Sequence, residues 1–239
     1  MATAEIPHHP GPENRLSLPE IKITGITVHP LRTAPEHPFA FSQGWVRQRS
    51  ATIIEVATDA GITGWGEAFA QGLEPPAIAT ATIEHALTPL LLGADPRDTE
   101  VLSHRMYHST RDYGRTGSVI AAISAIDIAL WDICGKAAGL PVRRLFGGAF
   151  HDRVQVNPHV WGSAIAQAAS LQLIAAVPVA HHSIFAEEPI FEYDRSSHPF
   201  RQQLVDEPVQ QHDGWIDISS RPGLGIEVNR EVLMRYRAA

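Results

Sequence analysis

The segment Val154-Gln155-Val156-Asn157-Pro158-His159-Val160-Trp161-Gly162 decides how the chain is read. Val154, Val156, Val160 and Trp161 favour an extended backbone, and Pro158 ends regular pairing or confines it to an edge. Ser163-Ala164-Ile165-Ala166-Gln167-Ala168-Ala169 then starts well as a helix. His159 therefore stands where a strand hands over to a helix. In barrels and open α/β sheets that end of a strand is where chemistry collects. A lone histidine there is also a common structural residue, so the flanking sequence has to decide.

Upstream, the residues lay out an α+β unit. Residues 1–20 carry Pro7, Pro10, Pro12 and Pro19 beside His8 and His9, and read as a disordered tail. Ile21, Ile23, Ile26 and Val28 mark a first strand. Residues 33–49 read as a loop with Phe39, Phe41 and Trp45. Thr52–Val56 and Ile62–Glu67 flank the turn Thr58-Asp59-Ala60-Gly61 and predict a hairpin, so the sheet is three-stranded and antiparallel. A helix is expected from Pro75 and Pro76 to Pro89, and another from an Asp95 cap with Pro96 at its first position. On that second helix His104 and His108 have metal-ligand spacing, but no carboxylate is read as completing the site at matching spacing, so they read as a solvated face. Residues 118–136 are apolar on nearly every side and predict a helix buried between layers. Asp132 and Lys136 form an i,i+4 pair on it, and Asp127 reads as a hydrogen-bonded buried acid.

The 239 residues carry a net charge of −7, which argues against nucleic acid or an anionic membrane as partner. Cys134 is the only cysteine, so neither an intrachain disulfide nor a cysteine zinc site is expected. No apolar run reads as a membrane span and no secretory signal is apparent, so a cytoplasmic location is expected.

Several separate stretches resemble the mandelate racemase/muconate lactonizing enzyme subgroup of the enolase superfamily. Asp59-Ala60-Gly61-Ile62-Thr63-Gly64-Trp65-Gly66-Glu67 is similar to that group's hairpin, Ser124–Ile133 to its buried helix, and Leu145-Phe146-Gly147-Gly148 to its exit into the barrel. Pro158–Gly162 resembles the end of the seventh barrel strand, and Glu188–Asp194 the eighth. Pro222-Gly223-Leu224-Gly225-Ile226 resembles the segment that returns to the cap. Phe191–Arg195 and His198–Arg201 are most similar to acid-sugar lactone cycloisomerases and acid-sugar dehydratases.

The resemblance implies a capping domain on a (β/α)7β barrel. It implies proton abstraction next to a carboxylate, with magnesium stabilising the enediolate. It makes His159 the strand-seven acid/base and Glu192 the acid at the end of strand eight. It places Phe39, Phe41, Trp45, Arg47 and Arg49 on the cap loop that closes over a small acid-sugar substrate.

The family's Lys-x-Lys, three metal-binding acids and strand-six Asp have no counterparts here. His151–Val156 reads as the first barrel strand, and Asn157 already belongs to the seventh. Residues 151–239 number 89, whereas such a barrel needs about 200 or more, so at least roughly 110 are missing. No lysine follows Lys136. The expected organisation is a tail at 1–20, a cap at 21–148, a truncated barrel remnant at 149–213 and a C-terminal return at 214–239. No metal site and no cofactor are expected in this chain. A remnant of two strands with open apolar faces is expected to self-associate or to join an intact paralogue.

Overall fold

The computed structural model describes residues 19–42, 44–69, 75–157, 161–178, 190–193 and 196–238. The expected tail lies almost wholly outside these. The cap sheet contains β1 (Ile23–Thr33), β4 (Arg49–Thr58) and β5 (Thr63–Ala68) in the order β1-β4-β5, antiparallel throughout. Val28 faces Ile54 across the first pair, and Ile54 faces Gly66 across the second. The stretch read as a loop holds a small hairpin of β2 (Phe39–Phe41) and β3 (Gly44–Val46). Three-residue strands are too short to show a period, which is why the sequence concealed them.

Both faces of β4 are covered, and its alternation sorts side chains between two cores. Ile54 and Val56 point to one with Leu87, Leu91, Leu102, Met106, Ile126 and Leu130. Ala51 and Ile53 point to the other with Trp65, Ile165, Phe200, Leu224 and Val232. The helical layer is α1 (Pro76–Ala81), a π-turn (Thr82–Leu87), α2 (Thr88–Leu91), α3 (Thr99–Thr110), α4 (Ser118–Ala138) and α5 (Val142–Leu145). Pro89 does not end the first of these. The preceding π-turn, in which Thr88 N donates to Ile83 O, widens the helix ahead of the proline ring. Likewise α3 starts at Thr99 with Asp98 at its cap, because Asp95 spends its carboxylate on Arg97.

The helix α4 is long and apolar enough by length and composition to cross a membrane, contrary to the sequence reading, yet half of it is buried in this fold. It lies against β5 at very short range. A Cβ on Gly66 would sit 1.9 Å from Ala125 O, and one on Gly64 2.1 Å from Ala129 O. The two glycines of the hairpin motif are therefore what lets the strand lie on the helix backbone.

Beyond the cap, β6 (Arg153–Asn157) is central in a second sheet of order β7-β6-β8. It pairs in parallel with β7 (Ile190–Glu192), as expected from the resemblance, and antiparallel with β8 (Trp215–Asp217), which was not expected. The sheet thus has three strands rather than two. A barrel cut down to a remnant would leave the helix α6 (Ala164–Ala175) with few neighbours. Instead Ile165 and Ala168 enter the core under β4, while Leu171 and Ala175 join Val154, Phe191, Ile216 and Ile218 in a third core. The short helices α7 (Pro199–Gln202) and α8 (Arg230–Arg235) complete the elements, and Tyr236, Arg237 and Ala238 bond back to β1.

Candidate active site

The parallel strands β6 and β7 end together, with Asn157 opposite Glu192. His159 lies outside the described residues. Of the five residues expected on the substrate loop, the structure brings two together near these ends. Phe39 of β2 packs on Trp161, ring centroids 5.4 Å apart. The Arg49 guanidinium lies 4.9 Å from the Phe39 ring and 5.4 Å from that of Trp161. Its Nη2 also donates to Ser196 Oγ. Arg49 is buried, so it clamps the hairpin to the segments that follow β6 and β7. Trp45 (64% exposed) and Arg47 stand out in solvent, and Phe41 pairs with Gly44 at the hairpin end.

Below this clamp sits a buried carboxylate to which the sequence reading assigned no task. Glu67 ends the hairpin motif and accepts from Ser163 N (3.0 and 3.1 Å), Ser163 Oγ and Ala166 N (3.2 Å). Ser163 Oγ in turn accepts from Ile165 N, so Ser163 caps α6 while Glu67 holds the cap. Burial pushes the Glu67 carboxyl above the usual range, against the pull of these donors and of Arg201. Arg201 Nε donates to Gly162 O at 3.0 Å. A signal existed in the sequence: a serine directly before a helix start, and one acid closing an otherwise apolar strand.

A second buried carboxylate, Asp132, ties three segments together. It accepts from Trp65 N at 3.0 Å, Leu224 N at 2.8 Å and Lys136 Nζ at 2.8 Å. Lys136 also donates to Thr63 O. The expected i,i+4 pair is present, and it anchors the returning Pro222–Ile226 segment to the cap hairpin.

The magnesium that the resemblance implies would need several convergent acids. Among the described residues no three His, Cys, Asp or Glu side chains are placed to hold a metal ion. The donors among the described residues do not fit that ion.

Two family models match the chain. "Mandelate racemase / muconate lactonizing enzyme, N-terminal domain" covers residues 22–147, and "Enolase C-terminal domain-like" covers 118–232. D-galactarolactone cycloisomerase of Agrobacterium fabrum is 23% identical over 379 residues, spanning 91% of this chain and 99% of that protein. Since 91% of 239 is about 217 residues, about 160 of those 379 aligned positions have no residue here. A D-galactonate dehydratase family member of Streptomyces bingchenggensis is 40% identical over 120 residues, which is 50% of this chain but 28% of the relative. Among solved structures, the 3,6-anhydro-D-galactonate cycloisomerase of Zobellia galactanivorans superposes with a TM-score of 0.77 at 19% identity, covering 91% of this chain and 100% of that one. An enolase-superfamily member from Agrobacterium tumefaciens gives 0.72 at 15%, covering 90% and 99%; at such identities the likeness is one of fold. With more than half of its length matched by the N-terminal model alone, the chain belongs to the mandelate racemase/muconate lactonizing enzyme family of the enolase superfamily.

Proposed function

We propose that this chain descends from an acid-sugar cycloisomerase or dehydratase and is inactive by itself. The observation that carries the reading is the pairing of β6. Read from sequence, it begins as the first barrel strand and ends as the seventh, and it lies beside the strand read as the eighth. An intact barrel has the eighth strand between the first and the seventh, so a fused strand keeps a partner when the arc between them is lost. The Lys-x-Lys and the metal ligands of the family would have stood on that arc. His159 and Glu192 remain as family counterparts of the acid/base and the strand-eight acid. Without a metal or an equivalent cluster of charges, they lack the means to stabilise an enediolate.

The test is proton exchange at the carbon next to the carboxylate. The purified chain is incubated in heavy water with galactarate or galactarolactone and with magnesium, and exchange is followed by NMR. The expected rate is that of buffer. Exchange that disappears in His159→Ala would establish catalysis and overturn the reading. Calorimetric titration with magnesium should show no micromolar site.

A second reading is a binding or oligomerisation module that associates with itself or with an intact paralogue. The burial of α6 in two cores supports it, because a remnant with its own core has a surface to present.

A further inference from the structure

The reading that no carboxylate stands at matching spacing to His104 and His108 is corrected by Glu100, four residues before His104. All three lie on α3 at successive four-residue steps, hence on one stripe. All three are exposed, so packing does not lock their rotamers. The two imidazoles stack with centroids 4.0 Å apart and planes inclined by 37°. Tyr107 meets His108 edge-on at 5.6 Å. Glu100, His104 and Tyr107 line one side of an open depression whose other wall is Ile123 of α4.

Arg111 Nη1 lies 3.1 Å from His108 Nδ1. A guanidinium only donates, so that nitrogen presents its lone pair and the ring is neutral. Neutral imidazole is the form that ligates metal.

We propose that His104 and His108 form a chelating site for a divalent transition-metal ion of the zinc, nickel or copper type. Two imidazole nitrogens suit these ions and not magnesium, which takes oxygen ligands. Metal–nitrogen bonds of about 2.0–2.1 Å are reached by rotating the exposed rings. No three such side chains converge among the described residues, and Glu100, two turns from His108 with its Cβ tilted towards the helix N-terminus, is out of reach, so water completes the coordination. The ion competes with Arg111 for His108 Nδ1. The proposal is independent of the acid-sugar reading, which concerns the other end of the cap.

Zinc titration calorimetry at pH 7.5 tests it. The full chain is used untagged and with His8→Ala and His9→Ala, so that the N-terminal histidine pair contributes nothing. One zinc per chain is expected. Either His104→Ala or His108→Ala should weaken binding at least about tenfold, since each leaves a single imidazole. Arg111→Leu should tighten it by removing the competitor. As a second readout, copper EPR should show hyperfine coupling to two nitrogens, and to one in either variant. The positions are exposed, and circular dichroism checks that each variant keeps its helices. No zinc binding by the parent, or binding within twofold of the parent in either histidine variant, would overturn the proposal.

Discussion

Asp127 and Asp132 stand five residues apart on α4 and have opposite surroundings. Asp132 is fully buried but accepts from two backbone amides and Lys136. Asp132→Ala would leave those donors without a partner, and should cost about 3–5 kcal/mol in urea unfolding. Asp127 is half-buried and its carboxylate makes no hydrogen bond among the described residues, contrary to the reading of it as a hydrogen-bonded acid. Burial, and then the charge of Glu100, raise its pKa to about 6. A raised carboxyl contributes stability only while protonated, and that contribution is lost as pH rises from about 4 through 6. Asp127→Asn should therefore match the parent near pH 3.5. It should exceed the parent by about 1–2 kcal/mol at pH 8, the full shift being discounted for partial exposure. Denaturant curves at both pH values check this, and a constant gap would refute it. The Asp132–Lys136 pair was legible from four-residue spacing alone. The sharing of Asp132 with Trp65 and Leu224 was not, because those contacts span 67 and 92 residues.

At the scale of elements, the β5–α4 contact leaves no room for a methyl group. Gly66→Ala places Cβ into Ala125 O, a backbone atom, and should cost about 3 kcal/mol or more, since strand or helix must shift. An unchanged thermal midpoint would show that the two elements are not held so closely. Glu67 governs a different junction, the start of α6. With Glu67→Ala the cap-holding bonds vanish, and amides of 164–175 should exchange with solvent about tenfold faster or more, while those of β4 stay protected. The hairpin and α4 were legible because each shows its period over many residues. The α6 start was legible from its small residues. The strand β8 was not. It is three residues long, and its partner Arg153–Gln155 lies about 60 residues earlier, so nothing local announces it. The clamp by Arg49 was half legible: its position on the loop was read, its burial between two rings was not.

For the whole molecule, one patch of apolar surface left open runs along α4, α5 and α6. A cleft of about 310 Å³ is walled by Ile128, Trp131, Val142, Phe146, Leu173 and Leu224. Leu173 is 57% exposed, with Phe150 and Val177 also open. Such a patch predicts self-association. Light scattering after gel filtration should give an assembly larger than 26.1 kDa, and an environment-sensitive dye should bind. Leu173→Lys should shift the population towards monomer. A sharp-melting, dye-free monomer would count against the prediction. The last residues carry a consequence of another kind. Ala238 N donates to Pro30 O, Arg32 N to Tyr236 O, and Arg230 pairs with Glu55, so the final turn of chain completes the edge and face of the first strands. A ribosome makes β1 about 200 residues before this clasp. The outer edge of β1 therefore stays unpaired until residues 236–238 have left the ribosome. A stop codon anywhere before residue 236 would free a chain with that edge still open.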